Sequence, residues 1–420
     1  MNSDIKYLLK NSGLTFILRI GGLGLGYLIA IYISKLYGAD VYGRYSILVT
    51  FAQFAVMVFS LGIPTAVIKL TSETNNFNKI PISNYLIRSL IVLFISGLFG
   101  SLIIFLCSSI IGTQVFHDNL LAQVFKYLSY FFIFMIFHNF GTQFQTGKKD
   151  FISYGLNMFV FPNVLFFVFI YIFRSFNLVS ELYIFLSYIL SITSVGIYLF
   201  FNIPKNKTTH NYSYKNLLKL SLPILLSSAF LSISSWTDIF MLGTMATKAD
   251  VGIYSAAYKL STATLLVILT VNIVIAPKIA ELYNKKNIKQ LKSEVLNANR
   301  LMTVLTLPIV FVLILFRKFL LGVFGIEFLG GELALIILSF GFLVNAFSGT
   351  VTQILNMTDY QIILRNLMLS MAIINIALNY FLIPKYGING AAAASLISQT
   401  FINLFAVFYV KKKLGFWALI

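Results

Sequence analysis

The chain has 420 residues, of which 59% are hydrophobic and only 10% are charged. Because about a quarter of the residues of an ordinary soluble domain are charged, this composition excludes a soluble globular protein and indicates one that crosses a membrane many times. The net charge of +18 is not evidence of a nucleic-acid partner, since Lys and Arg in a chain this apolar typically mark the cytoplasmic loops of a membrane protein.

Twelve apolar blocks follow one another along the chain, each about as long as a helix that crosses a bilayer. They predict transmembrane helices near residues 13–34, 45–63, 85–107, 119–140, 154–173, 180–202, 218–242, 252–276, 300–316, 333–352, 362–383 and 389–410. The first block has no small-residue cleavage site after it, so we expect a retained helix and not a signal peptide. The predicted fold class is therefore an all-α integral membrane protein with twelve transmembrane helices.

Lys and Arg are distributed unequally over the connections between these blocks. If the N-terminus is cytoplasmic and basic residues toward a helix end are counted with the adjoining connection, the inner side has 21 of the 31 basic residues and the outer side has 8, while Arg19 and Lys259 are assigned to the helices themselves. Such an excess on one side predicts that both termini are cytoplasmic. The stretch 281–300 has the pattern of a basic amphipathic helix, which predicts a surface helix on the inner leaflet, where it either anchors the protein to the lipids or contacts the substrate.

One short polar phrase occurs twice, as GADVYGRYS at residues 38–46 and as KADVGIYS at residues 248–255. With an offset of 209 residues, Gly43 aligns with Gly252, and further matches of polar residues occupy equivalent points in two sets of six blocks. The repeated phrase therefore indicates a repeated folding unit of six helices.

The repeat predicts two lobes, an N-lobe at residues 1–207 and a C-lobe at residues 208–420. Because six is an even number, the two six-helix bundles are parallel, with a pseudo-two-fold axis along the membrane normal. Carriers built from parallel repeats generally place their substrate path between the repeats, so we expect a rocking motion that opens the path to each side in turn.

Three segments of the chain resemble motifs of one family. They are ISKLYGADVYGRYSI (33–47), LPILLSSAFLSISSWTDIFMLGTMATKADVGIYSAAYKL (222–260) and LNYFLIPKYGINGAAAASLIS (378–398). In that order they resemble the first outer loop, the seventh span with the loop beyond it, and the eleventh-to-twelfth hairpin of polysaccharide flippases in the MOP (multidrug/oligosaccharidyl-lipid/polysaccharide) superfamily. The resemblance runs from about residue 5 to residue 410, and the branch that it most resembles is the Wzx-type O-antigen flippases.

This resemblance implies a MATE-like fold and a transporter that is not an enzyme. The implied substrate is an oligosaccharide, the O-antigen repeat unit, linked to undecaprenyl pyrophosphate. It would pass from the inner to the outer leaflet of the cytoplasmic (inner) membrane by alternating access. The implied partners are membrane lipids, H+ or Na+ as a coupling ion, the O-antigen polymerase and the chain-length regulator, with no cofactor and no nucleic acid.

Two basic residues inside predicted helices are the candidates for binding the pyrophosphate in a cationic cavity. The guanidinium of Arg19 can form paired hydrogen bonds with a phosphate, and charges inside a membrane usually face a bundle interior or a watery cavity. The alternative is that Arg19, near the inner end of its helix, extends to the lipid headgroups. Lys259 is the second candidate.

Asp238 is the only acid that lies clearly inside a predicted helix. It lies in the outer half of the membrane, as does Lys259 on the next predicted helix. The two residues are therefore predicted either to form a structural ion pair or to act separately, Asp238 as a coupling site for a cation or proton and Lys259 as a pyrophosphate contact. Arg88, Arg300 and Arg365 lie near inner helix ends, where we expect them either to assist substrate entry or to anchor the helices.

Two other functions compete with the flippase. A cation-coupled drug antiporter of the related MATE branch would be expected to carry acidic residues in its helices, whereas this chain has one intramembrane acid against two bases. A membrane enzyme would need a catalytic loop or a buried polar constellation, and the outer loops are short. The three His residues lack metal-ligand spacing and there is one Cys, so no metal site is predicted.

Overall fold

The computed structural model of the protein describes residues 3–75, 84–203 and 213–419, with their side chains over residues 17–71, 85–203, 213–225 and 236–419. The regular structure in these residues is helical, and they contain no strand. Nine helices in this part of the chain are long and apolar enough to cross a membrane. The predicted all-α integral membrane class is confirmed.

The helices follow one another with short connections. Up to residue 203 they are α1 (Ser3–Phe59), α2 (Ile63–Asn75), α3 (Asn84–Ser109), α4 (Asn119–Gly147), α5 (Phe151–Gly155), α6 (Phe161–Ser175) and α7 (Leu182–Asn202). After residue 212 they are α8 (Tyr214–Met245), α9 (Lys248–Ser261), α10 (Leu265–Asn284), α11 (Ile288–Leu315), α12 (Arg317–Gly322), α13 (Glu332–Phe347), α14 (Val351–Met357) and α15 (Gln361–Leu414). A π-helical turn at Ile110–Val115 extends α3, and another at Leu156–Val160 joins α5 to α6.

Two of the longest helices each contain one glycine with non-helical backbone dihedrals. Gly38 interrupts α1 with φ 83° and ψ −179°, and Gly387 interrupts α15 with φ 55° and ψ −131°. A positive φ is easily adopted only by glycine, which has no Cβ. When the two sides of each glycine are counted separately and α8 is added, the described part of the chain is consistent with the twelve predicted spans.

The segment 281–300 does not form the predicted separate helix on the membrane surface. Instead α10 ends at Asn284 and α11 begins at Ile288, so residues 285–287 form a turn and residues 288–300 are the first part of the longer helix α11. Two apolar residues of this segment, Leu291 and Val295, are buried in a protein core. The prediction was wrong because an amphipathic pattern does not tell whether lipid or protein covers the apolar face.

The contacts divide the chain into two compact units. The first consists of Met1–Ile33 and Leu48–Ala229, and the second of Ser34–Ile47 and Phe230–Ile420. The division falls inside α8 and assigns the first copy of the repeated phrase to the second unit. The two lobes at residues 1–207 and 208–420 stay a prediction.

Each unit has an apolar core of its own. In the first unit, aromatic side chains of α4, among them Phe132, Phe137 and Phe140, share a cluster with Leu217 at the start of α8. This contact explains why the beginning of α8 belongs to the first unit. In the second unit, side chains of α10, α11, α14 and α15 form a cluster that includes Phe416, close to the C-terminal end.

The two copies of the repeated phrase lie against each other within the second unit. A Cβ on Gly43 would overlap the carbonyl oxygen of Lys248, and a Cβ on Gly252 would overlap the carbonyl oxygen of Ala39, which is the equivalent contact at the offset of 209 residues. In addition, Glu327 accepts a hydrogen bond from the Ala39 amide at 2.9 Å. These contacts explain why the first copy belongs to the second unit.

Candidate functional site

Asp238, the acid predicted to lie inside the membrane, is fully buried in α8. One of its carboxylate oxygens accepts hydrogen bonds from the hydroxyl groups of Tyr254, at 2.5 Å, and of Ser395. The other oxygen accepts hydrogen bonds from the side-chain amides of Asn379, at 2.7 Å, and of Asn375, at 3.3 Å. Four neutral donors therefore surround the carboxylate.

Three helical segments bring these donors together. Tyr254 lies in α9, whereas Asn375 and Asn379 lie one turn apart in the part of α15 before Gly387. Ser395 lies in the part of α15 after this glycine. Residues four apart share one face of a helix, and the Asn379 amide also donates to the side-chain oxygen of Asn375 at 3.2 Å.

Asn379 also contributes an oxygen that these hydrogen bonds leave unused. Its buried Oδ1 has no hydrogen-bond partner among the residues that the structure describes. A half-turn of the amide would exchange its NH2 group for this oxygen, so that an amide oxygen and the Asp238 carboxylate would face the same point. Hard cations are bound by carboxylate and amide oxygens, so the cluster can hold either a proton or a small cation.

A cavity of about 70 Å³ lies beside this cluster. Its lining includes Tyr258, Ser395, Ser398 and Gln399, so that Ser395 contacts the cavity as well as the carboxylate. A space of this size holds about two water molecules, and Ser395 separates it from the Asp238 carboxylate. Within the described ranges, no three His, Cys, Asp or Glu side chains converge as they would at a multi-ligand metal centre.

The predicted ion pair between Asp238 and Lys259 does not form. The partners of the Asp238 carboxylate are the four neutral side chains, and the Lys259 ammonium is not among them. Lys259 follows Tyr254 by five residues on α9, which places it about 140° further round the helix. Because Tyr254 faces Asp238, Lys259 faces another direction, and its side chain is partly buried.

Arg19 lies in α1, within a helix long and apolar enough to cross the membrane. Its side chain is half-buried, and its guanidinium carbon lies 5.9 Å from the centroid of the Phe159 ring. The Phe159 ring in turn packs edge-on against Tyr154, with 5.7 Å between the centroids. No carboxylate lies within ion-pair distance of Arg19 in the part of the chain that is described.

The three arginines predicted at the inner helix ends have different surroundings. The Arg88 guanidinium carbon lies 4.7 Å from the centroid of the Tyr214 ring. Arg300 is exposed on α11, and Arg365 is exposed on α15, where it donates to the side-chain oxygen of Asn366 at 3.2 Å. Each position suits an arginine that anchors its helix as well as one that assists substrate entry, so the role in substrate entry stays a prediction.

The four donors around Asp238 are absent from the residues predicted from sequence. Asn375 and Asn379 carry a signal, because they form an i, i+4 pair of amides in an apolar helix. Tyr254 belongs to the repeated phrase, whose pattern indicates a repeated fold and not a contact with Asp238. Ser395 follows a run of four alanines and has no distinguishing pattern.

A sequence model of the family described as polysaccharide biosynthesis protein matches residues 8–283, which is more than half of the chain. The chain belongs to this family. A second family model, described as MatE, matches residues 223–381, which include Asp238 and both asparagines beside it.

This member of the polysaccharide biosynthesis protein family is similar to the protein named "Probable low-salt glycan biosynthesis flippase Agl15" of Haloferax volcanii. The two are 27% identical over 165 residues, which are 39% of this chain and 35% of that protein. The chain therefore matches about a third of the length of this curated relative.

Solved structures of transporters have the same fold. A MATE family multidrug resistance transporter of the MOP superfamily in its inward-facing conformation is similar over 95% of this chain and 98% of its own, with a TM-score of 0.80 and 15% identity. The Lipid II flippase MurJ in its inward closed conformation is similar over 96% of this chain and 87% of its own, with a TM-score of 0.68 and 18% identity. These similarities confirm the predicted MATE-like fold.

Proposed function

We propose that the protein is a flippase for an oligosaccharide linked to undecaprenyl pyrophosphate, such as an O-antigen repeat unit, which it transfers from the inner to the outer leaflet by alternating access. Membership of the polysaccharide biosynthesis protein family and the similarity to a protein named as a glycan flippase support a role in glycan assembly. The observation that carries the proposal is Arg19, an intramembrane cation whose described contact is an aromatic ring and not an acid.

An anionic substrate explains why cations lie inside the spans. A lipid-linked pyrophosphate carries about two negative charges, and burying them without a cation would cost several kcal/mol. Arg19 can donate two parallel hydrogen bonds to phosphate oxygens. Lys259 is the second proposed contact, because an ammonium attracts phosphate without requiring one fixed geometry. Arg88, Arg300 and Arg365 are proposed to attract the substrate at its entrance.

Asp238 is the proposed coupling site, for H+ or Na+. A bound proton or cation neutralises the carboxylate, whereas its release leaves a buried charge that only hydrogen bonds stabilise. A conformation that buries this site less would favour release, so the two conformations would differ in their affinity for the ion. An ion gradient can then shift the conformational equilibrium by that difference.

The proposed location is the cytoplasmic (inner) membrane, with both termini on the cytoplasmic side. Three lysines in the last turn of α15, Lys411–Lys413, support this orientation, since basic residues near helix ends favour the cytoplasm. A reporter fused after these lysines should report the cytoplasm, and a periplasmic signal would refute the orientation. The O-antigen polymerase and the chain-length regulator are proposed partners.

A cation-coupled drug antiporter of the MATE type is the second candidate. The match of residues 223–381 to the MatE family and the TM-score of 0.80 with a MATE transporter favour it. A cationic drug would need an acid that it can reach. Asp238 is fully buried and already accepts four hydrogen bonds, which suits a small ion better than a drug.

Liposomes that contain the purified protein test the two functions side by side. One set carries a fluorescent undecaprenyl-pyrophosphate oligosaccharide, and the fraction quenched by an impermeant reductant reports its transfer between leaflets. A second set reports uptake of a cationic dye driven by an H+ or Na+ gradient. We expect transfer of the glycolipid without uptake of the dye, and the reverse result would favour the antiporter. Lys385→Ala, at an exposed position, is the control variant.

A further inference from the structure

The π-helical turn Leu156–Val160 leaves one backbone carbonyl without a backbone donor. The Phe161 amide donates to the Leu156 carbonyl, five residues earlier. The next residue, Pro162, has no N–H group. In an α-helix the Asn157 carbonyl would accept from the Phe161 amide, but that amide donates to Leu156 here. In a π-helix it would accept from residue 162, which is the proline, so neither residue donates to it.

His138 of α4 supplies the missing donor. Its Nε2 lies 3.0 Å from the Asn157 carbonyl oxygen, and because a carbonyl only accepts, this nitrogen carries the hydrogen. His138 is buried. The side-chain amide of Asn157 adds hydrogen bonds to the Ser153 carbonyl at 2.8 Å and to the side-chain oxygen of Gln145 at 3.3 Å. Contacts with α4 therefore fix the π-helical turn.

The same turn brings Phe159 against α1. The side-chain amide of Asn163 donates to the Gly22 carbonyl at 3.0 Å and to the Phe159 carbonyl at 2.7 Å. A Cβ on Gly22 would stand 2.5 Å from the Phe159 carbonyl oxygen, so glycine permits this approach and a larger residue does not. Arg19 lies three residues before Gly22, about one turn away on the same side of α1. The turn thus places the Phe159 ring beside the Arg19 guanidinium.

We infer that Phe159 and His138 are positioning residues for the pyrophosphate contact of Arg19, an inference that rests on the proposed function. An aromatic ring attracts a cation through the charge distribution of its face and does not occupy the N–H groups. The five guanidinium donors of Arg19 therefore remain available for phosphate oxygens. A carboxylate in place of the ring would also hold the arginine, but it would use those donors and repel the phosphate. His138 acts through the turn that holds Phe159.

Binding of undecaprenyl pyrophosphate to the full-length protein in nanodiscs tests this inference, with undecaprenol as the uncharged control ligand. Phe159→Leu should weaken binding of the pyrophosphate by about 5- to 30-fold, the range of a cation–π contact, and leave undecaprenol binding unchanged. Phe159→Trp keeps a ring face and should bind like the wild type. In an Arg19→Ala background Phe159→Leu should have no further effect, because no guanidinium is left to position.

Substitutions at His138 provide a second test that does not alter the ring. His138→Gln retains a side-chain N–H donor and should bind the pyrophosphate like the wild type, whereas His138→Leu should weaken binding as Phe159→Leu does. The melting temperature of each variant is measured beside its affinity. Equal binding by His138→Gln and His138→Leu would overturn the role of His138.

The outcomes separate the inference from the proposed function. If Phe159→Leu weakens pyrophosphate binding just as much in the Arg19→Ala background, the ring does not act through the arginine and the inference is overturned. If Arg19→Ala weakens binding and Phe159→Leu does not, the inference fails and the proposed function stands. If Arg19→Ala binds the pyrophosphate as tightly as the wild type, the proposed contact at Arg19 itself is wrong.

Discussion

Gly43 and Gly252 lie so close together that a Cβ added to either residue would stand 3.0 Å from the backbone nitrogen of the other. The two glycines occupy equivalent positions in the repeated phrase, at the offset of 209 residues. The contact is therefore the same from both sides, as an approximate two-fold axis between equivalent segments requires. The phrase is repeated because each copy forms one side of this contact, in addition to belonging to a repeated set of helices.

Gly43→Ala and Gly252→Ala should each lower the melting temperature of the purified protein. The new methyl group would meet backbone atoms, which cannot rotate away, and overpacking of this kind typically costs about 1–3 kcal/mol. Gly24→Ala is the matched control, since nothing lies within 4 Å of its added Cβ. Thermal unfolding of the three variants in one detergent gives the comparison, and equal melting temperatures would contradict the close contact.

The membrane spans can be predicted from sequence because apolar length is a local property. The sixth span, for example, is predicted at residues 180–202 and found as the helix Leu182–Asn202. The form of the connection between the first two spans could not be predicted. The apolar blocks place a loop at residues 35–44, whereas the structure has an otherwise continuous helix that is interrupted only at Gly38, a glycine with a positive φ. Nothing in the local apolar pattern distinguishes a loop from such a break.

The candidate site could be predicted only in part. Asp238 is conspicuous because a charge in an apolar block is rare. Its partners are separated from it by 16 residues at Tyr254, 141 at Asn379 and 157 at Ser395, so that only the packing of α8, α9 and α15 shows which polar groups meet it. The same packing decides that Lys259, the obvious counter-charge, faces elsewhere.

Tyr254→Phe should destabilise the protein by about 1.5–3 kcal/mol, the range for a hydrogen bond to a charged group. The substitution removes the hydroxyl that donates to the buried carboxylate of Asp238 at 2.5 Å and adds no bulk. Tyr386→Phe is the control, because that tyrosine is 62% exposed. Chemical denaturation of both variants, followed by circular dichroism, measures the difference. The same free energy of unfolding for both would show that the hydrogen bond does not support the site.

Asp238→Asn should not restore the activity that Lys259→Ala loses. Restoration would be expected if the lysine served only to neutralise the carboxylate, but the carboxylate contacts neutral donors instead. Glycolipid transfer in liposomes is measured for both single variants and for the double variant. We expect the double variant to be at least as defective as Lys259→Ala, whereas recovery above that level would indicate that the two charges are coupled.

Asn299 connects α11 with the residues after α15 and with the residue before α14. Its side-chain amide donates to the Ala418 carbonyl at 2.8 Å, and its side-chain oxygen accepts from the Thr350 hydroxyl at 2.7 Å and the Thr350 amide at 3.2 Å. Asn299→Ala leaves these buried groups unpaired, at about 1–3 kcal/mol for each group. The melting temperature should fall well below that of Asn366→Ala, a control at an exposed position. An equal melting temperature would mean that the buried network adds no stability.

Arg19→Lys should retain part of the rate of glycolipid transfer, and Arg19→Ala should retain little. Lysine keeps the charge but cannot form two parallel hydrogen bonds with a phosphate, whereas alanine provides neither. Each 1.4 kcal/mol of lost interaction lowers the affinity about tenfold, so loss of two hydrogen bonds between charged groups should exceed that factor. Lys385→Ala removes one positive charge at an exposed position and is therefore the control for net charge.

The lipid composition of the liposomes separates the two interpretations of Arg19. If the guanidinium extends to lipid headgroups, Arg19→Ala should alter transfer in liposomes of anionic lipid and leave it unchanged in neutral ones, because the attraction to the membrane surface disappears with the surface charge. If the guanidinium contacts the pyrophosphate, the defect should be the same in both, since the substrate carries its own charge. A defect confined to anionic liposomes would therefore assign Arg19 to membrane anchoring and remove it from the proposed substrate site.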